Sequence, residues 1–113
     1  MVGKKTYIPE SGDIVWINFN PTRVNEQKGK RLALVVSPKT YNRASRLALF
    51  CPITAKSKEY PFEVALLTSK IPGFVLVDQV RSLNWHERKV VKNGNAPASV
   101  LETTQELLSK LLT

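Results

Sequence analysis

Residues 13–38 read Asp13-Ile14-Val15-Trp16-Ile17-Asn18-Phe19-Asn20-Pro21-Thr22-Arg23-Val24-Asn25-Glu26-Gln27-Lys28-Gly29-Lys30-Arg31-Leu32-Ala33-Leu34-Val35-Val36-Ser37-Pro38. They form two apolar runs around a polar loop. The first run, Ile14–Phe19, is rich in β-branched and aromatic side chains and ends at Asn20-Pro21. The second, Leu32–Ser37, ends at Pro38, which cannot donate to a ladder. Both predict strands. The loop between them sets a carboxylate, Glu26, close to a guanidinium, Arg31, with Gly29 free to bend sharply between them.

Outward from this pair the β pattern continues. Leu47–Ile53 predicts a third strand, and the alternating Pro61–Leu66 a fourth. Gly73–Ser82 predicts a fifth with a break in its middle, and Lys89–Val91 a short sixth. A helical turn is expected around Thr40–Ala44. Only the end of the chain reads clearly as a longer helix. Pro97 suits a first turn, and Val100, Leu101, Leu107, Leu108, Leu111 and Leu112, with Thr104 between, make one apolar stripe. Glu102, Gln105, Glu106, Ser109 and Lys110 are expected to point away. The fold class that follows is mainly β with a C-terminal α-helix, a small and partly open β-barrel.

At 113 residues the chain reads as one domain, 1–113. With 42% hydrophobic and 23% charged residues it has the composition of a folded protein, which excludes a wholly disordered chain. Seventeen Lys and Arg against nine Asp and Glu give +8, a balance that favours a polyanionic partner. Residues 95–113 carry only Glu102, Glu106 and Lys110, so the excess lies in the first 94 residues. The basic clusters Arg23–Arg31, Lys39–Arg46, Lys56–Lys58 and Arg81–Lys92 fall mostly at predicted loops and strand ends. That suits a phosphate-binding face better than a basic helix lying on a membrane. Cys51 is the only cysteine, which excludes an internal disulfide and a Cys-rich zinc site. The N-terminus has no apolar signal core, and no run is long enough to span a membrane, so a cytoplasmic protein is expected.

Breaking an RNA backbone without metal or cofactor needs few groups. Something must take the proton of the 2′-OH that attacks phosphorus, a role worth about 10²–10⁴ in rate. A fixed cation must meet the charge of the phosphorane, worth about 3–4 kcal/mol. Glu26 and Arg31 supply a base and a cation, and Thr54 at the end of the third strand adds a hydroxyl. From spacing alone, the commoner meaning of Glu26 and Arg31 is a surface ion pair worth about 0–1 kcal/mol. Lys56 and Lys58 lie beside Thr54, where they would meet phosphates or simply solvent. His86 most often means an ordinary surface histidine. Trp16 and Trp85 read as core or dimer contacts before base-stacking platforms, and Cys51 as a buried thiol.

Several stretches resemble the MazF toxin family. They are Asp13-Ile14-Val15-Trp16, Asn20-Pro21-Thr22, Glu26-Gln27-Lys28-Gly29-Lys30-Arg31 and Val35-Val36-Ser37-Pro38, then Tyr41-Asn42, Pro52-Ile53-Thr54, Lys56–Val64 and Asp78-Gln79-Val80-Arg81-Ser82. The match runs in order along nearly the whole chain. It implies an SH3-like barrel with a C-terminal helix and a homodimer that binds single-stranded RNA along the subunit interface. The implied activity is a metal-free endoribonuclease that leaves a 2′,3′-cyclic phosphate and a 5′-hydroxyl. A cognate acidic antitoxin of the MazE kind is the implied protein partner.

The resemblance places Arg31 and Thr54 at the family's catalytic Arg and Thr, and Glu26 at its Glu-Gln loop. Gln27, Asp78 and Gln79 match positions lining the RNA groove, and Lys28, Lys30 and Lys56 are expected to join them on the RNA. Leu32 stands where the family has Pro, and Val24 where it has Gly. The sister Kid/PemK branch has His and Arg where this chain has Asn25 and Leu76, so the MazF branch is the expected home. Two alternatives share the architecture: a gyrase inhibitor of the CcdB type and a non-catalytic RNA-binding barrel.

Overall fold

A strand that is apolar at nearly every position has no face to offer water, and both its faces must be covered. The computed structural model describes residues 6–20, 29–66, 68 and 72–113. Seven strands lie among them: β1 (Asp13–Asn18), β2 (Lys30–Val35), β3 (Leu47–Thr54), β4 (Glu63–Ala65), β5 (Phe74–Leu76), β6 (Arg81–Asn84) and β7 (Val91–Asn95). Helix α1 (Lys39–Ser45) joins β2 to β3, a 3₁₀ turn (Val77–Gln79) joins β5 to β6, and α2 (Ala98–Leu111) closes the chain. The pairings are antiparallel and the strand order is β4-β5-β3-β2-β1-β7, with β6 also on β3. The sheet is curved but not closed. This is the expected fold, a mainly β open barrel with a C-terminal helix.

Alternation along the central strands sorts their side chains into two cores. Ile14, Leu34, Val36, Cys51 and Ile53 face one way, onto Val64, Val75, Val77 and Val100 of α2. Val15, Ile17, Phe19, Ala33, Val35, Ala48 and Phe50 face the other way, onto Leu83, Trp85 and Val90. Cys51 is fully buried, and burial, with the Asp78 charge adding to it, pushes its thiol up to about 12. It is the inert thiol the sequence predicts.

β5 and β6 lie end to end along one edge of β3, at Ile53–Thr54 and Leu47–Phe50, while β2 takes the other edge. The predicted fifth strand is therefore split by the 3₁₀ turn. The fourth shrinks to Glu63–Ala65, because the chain turns at Tyr60–Glu63 and the Glu63 carboxylate caps the preceding loop. The last strand starts at Val91 rather than Lys89, whose left-handed backbone (φ 50°) ends the preceding turn. On α2 Val100 and Thr104 are buried and Leu101, Leu107 and Leu108 half-buried, while Leu111 and Leu112 are exposed at the end of the helix. Gln105 does not simply face solvent, since its Nε2 donates to the Val36 carbonyl at 3.2 Å. Among the described residues no helix is long and apolar enough to cross a membrane.

Two buried polar hubs fix the segments around this sheet. Asn42 donates to the carbonyls of Pro9 (2.8 Å) and Ser37 (3.1 Å), accepts from the Ser37 hydroxyl, and receives the Trp85 Nε1–H on its own carbonyl at 2.8 Å. Asp13 accepts from the Tyr7 hydroxyl, the Glu10 N–H and the Asn95 amide, with Lys92 Nζ 3.4 Å away.

Candidate active site

The β2–β3 register pairs Val35 with Phe50, Leu34 with Cys51 and Ala33 with Pro52. Carried two residues further, it sets Arg31 across from Thr54. Both line a shallow pocket of about 230 Å³ with Trp16, Leu32, Ile53 and Pro72. The walls are apolar and the two functional groups converge at their edge, the usual make-up of a small binding site. Trp16 is 38% exposed, so it belongs to the pocket wall rather than to the core.

Gly73 makes this corner. A Cβ there would stand 2.8 Å from both the Thr54 carbonyl oxygen and Ile53 Cγ2, so β5 reaches Thr54 only because this residue has no side chain. Thr54 Oγ1 accepts the Lys56 N–H at 3.4 Å, which ties the following basic loop to the pocket. Gly29, at φ +103°, supplies the bend that leads into β2 just before Arg31.

Positive charge gathers beside the pocket. The Phe19 ring, at the end of the first apolar run, has the guanidinium carbons of Arg31 and Arg81 each 5.9 Å from its centroid, a cation–π arrangement. Arg81 also donates to the Phe19 carbonyl at 3.2 Å. Arg88 is buried and donates to the carbonyls of Asn18 (2.6 Å) and Asn20 (3.3 Å). Burial, and then the charge of Arg81, holds its guanidinium below its ordinary value. No carboxylate among the described residues pairs with these three arginines; the ion pair there is Lys92–Asp13. The exposed pair in this cluster, Arg31 and Arg81, has the chemistry to meet an anion.

The other predicted residues are placed unevenly. Glu26, Gln27 and Lys28 lie outside the described residues. Lys30 sits at the start of β2 opposite Asn18, next to Arg31. Lys56 is exposed in the loop after Thr54. Asp78 and Gln79 are exposed on the 3₁₀ turn and do not line the pocket. Asp78 instead accepts a hydrogen bond from the Tyr60 hydroxyl, and that bond pushes the phenol up to about 12. Arg31 and Thr54 are thus brought together, while Asp78 is engaged by Tyr60. Sequence reasoning missed Phe19, Arg81 and Arg88 as one group, because their nearness depends on β6 pairing with β3; the Arg81–Lys92 cluster was its only trace. Among the described residues no group of three or more His, Cys, Asp or Glu is arranged to hold a metal ion.

Fold and site together define a small SH3-like barrel with a cationic, hydroxyl-bearing pocket at the end of its central strands. The chain belongs to the PemK-like, MazF-like toxins of type II toxin–antitoxin systems, whose family model matches residues 10–112. It is 39% identical over 106 residues to the endoribonuclease toxin MazF of Escherichia coli K12, covering 94% of this chain and 96% of that one. It is 29% identical over 109 residues to the endoribonuclease PemK of Escherichia coli, covering 92% and 82%. The crystal structure of MazF from Deinococcus radiodurans superposes with a TM-score of 0.83 at 44% identity, covering 94% of this chain and 97% of that one. A MazE–MazF complex from the same organism gives 0.82 at 41% identity, covering 94% and 96%.

Proposed function

We propose that this single-domain, cytoplasmic toxin is a sequence-specific endoribonuclease that cuts single-stranded RNA, mRNA included, and so arrests translation and growth. The observation that carries this reading is the convergence of Arg31 and Thr54 on one pocket beside the Phe19 arginine cluster. The 2′-oxygen attacks the adjacent phosphorus as its proton passes to Glu26. Arg31 meets the charge gathering on the phosphorane, where a preorganised contact counts most, and the Thr54 hydroxyl donates to a non-bridging oxygen. The P–O5′ bond breaks, the 5′ oxygen takes a proton from solvent water while Glu26 returns its proton to solvent, and a 2′,3′-cyclic phosphate remains. No cofactor is needed. Gln27, Lys28, Lys30, Lys56, Asp78 and Gln79 hold the strand.

The working unit is a homodimer, and an acidic antitoxin covers the same cationic face. The names of the relatives support both enzyme and partner: they are endoribonucleases, and one structural neighbour is a toxin–antitoxin complex. The test is incubation of pure protein with a long RNA in EDTA, followed by mapping of the cut ends. Cuts at one recurring short sequence with 5′-hydroxyl ends are expected. RNA left whole, or cutting that stops when divalent metal is removed, would overturn the reading. A supercoiling assay run in parallel would expose a gyrase inhibitor instead.

A further inference from the structure

A second basic site lies away from the Arg31–Thr54 pocket, where the chain turns out of β6. Two adjoining hollows of about 280 and 230 Å³ share Thr6, Trp85 and His86. Lys89 lines one of them, and Arg43 and Arg46 line the other. Among the described residues no carboxylate lines either. Trp85 is buried and holds the floor rigid, its N–H donating to the Arg46 carbonyl and its Nε1–H to that of Asn42. The His86 ring stands edge-on to it, with centroids 5.9 Å apart and planes at 80°. Arg43, Arg46, His86 and Lys89 are all exposed.

The backbone marks the same place. Arg46, the C-cap of α1, has φ 64°, and Lys89 has φ 50°. Both are left-handed conformations that glycine adopts freely and that cost a residue with a Cβ. A long cation stands at both of these left-handed positions, and both line the same corner, whereas Glu59, the third such residue among those described, lies elsewhere.

The two sites are also close along the chain: Arg81 of the first cluster and Trp85 of this corner are four residues apart, at most about 13 Å at roughly 3.3 Å per residue. We propose that the Trp85–His86 corner is a second binding site for the RNA strand, taking phosphates upstream or downstream of the bond that is cut. Arg43, Arg46 and Lys89 neutralise the backbone there, and the His86 ring offers a face to a base. The site rests on the reading of this protein as an RNA-cutting enzyme. It predicts that long RNAs bind more tightly than the short sequence around the cut.

The test pairs Arg46→Gly with Lys89→Gly, since glycine suits both backbone positions and should leave the melting temperature at or above that of the parent. Binding is measured against salt with 2′-O-methyl oligonucleotides, which lack the attacking hydroxyl. One is short enough to fill only the Arg31–Thr54 pocket, and one is long. On the long strand the double variant should bind about tenfold more weakly, and its log–log salt slope should flatten by about 1.4, roughly 0.7 for each phosphate that is no longer neutralised. On the short strand it should match the parent. An unchanged slope on the long strand, an equal weakening on both strands, or no affinity of the parent for either would overturn the proposal. So would a double variant that loses an acidic peptide the parent binds while keeping the parent's affinity for the long RNA. Cutting with recurring ends but no slope difference would sink only the second site. A slope difference without any cutting would sink only the enzyme.

Discussion

Arg31 of β2 and Thr54 at the end of β3 line one pocket although 22 residues of chain separate them. Neither holds a core position, so either can be truncated without opening a cavity. Arg31→Ala and Thr54→Ala should each keep the parent's melting temperature. Arg31→Ala should lower cleavage by about 10²–10³, the usual cost of removing one preorganised charge interaction. Arg31→Lys should recover only part of it, because an ammonium lacks the planar fork of donors. Gel-based cleavage rates on one RNA check all three. A fully active Arg31→Ala variant would show that the pocket is not the catalytic one.

Gly73 is where backbone geometry can be set against chemistry. Its missing Cβ lets β5 lie against the Thr54 carbonyl, and its φ of +156° is itself unfavourable for an L side chain. Gly73→Ala should cost about 1–3 kcal/mol, as overpacking does, and should slow cleavage by displacing Thr54. Thermal unfolding and cleavage rates together test this. A variant as stable and active as the parent would mean that β5 can draw back freely.

Arg88 is a cation devoted to backbone. Its guanidinium satisfies the carbonyls of Asn18 and Asn20, at the point where residues 21–28 begin. Arg88→Ala leaves two acceptors without this donor and should cost about 1–3 kcal/mol. Both bonds come from one nitrogen, Nη1, so Arg88→Lys should rescue part of that and lose the rest because the lysine ammonium is more strongly hydrated and costs more to bury. Urea unfolding of the three proteins measures it. Full rescue by lysine would reduce Arg88 to a point charge.

These cases show what pattern could and could not reveal. Ile14–Phe19 and Leu32–Ser37 are apolar enough to announce strands, and Pro38 and Pro97 announce ends, so the architecture was legible residue by residue. Arg31 and Thr54 were legible as candidates through the family's motif. That they face one another is a matter of register, which no local signal carries. The grouping of Phe19, Arg81 and Arg88 needs β6 on β3, a pairing set by the whole topology. Leu111 and Leu112 kept the helical period yet stay exposed, because periodicity records which side a residue is on and not whether the sheet extends beneath it.

The loop after Thr54 should be held in place over a wide but bounded pH range. At one end Glu63 accepts from the Ser57 hydroxyl and, at 2.7 Å, from the Lys58 N–H, and these bonds, Ser57 first, hold its carboxyl below its ordinary 4.5. A depressed carboxylate stabilises the fold above the unfolded value and loses that contribution as pH falls through the folded one. At the other end the Tyr60 hydroxyl donates to Asp78 and is pushed up to about 12, so that tie is present below the unfolded phenol value and is lost as pH rises through about 12. The protection factor of the Lys58 amide should therefore hold at neutral pH and fall as pH drops through the depressed Glu63 value. Glu63→Gln should abolish that acid limb, and Tyr60→Phe should release the loop at every pH while leaving the acid limb in place. Carboxyl NMR that finds Glu63 titrating at or above 4.5 would show that the Ser57 and Lys58 bonds do not persist in solution. Lys56, the loop residue tied to Thr54, would then lose its anchor on the far side.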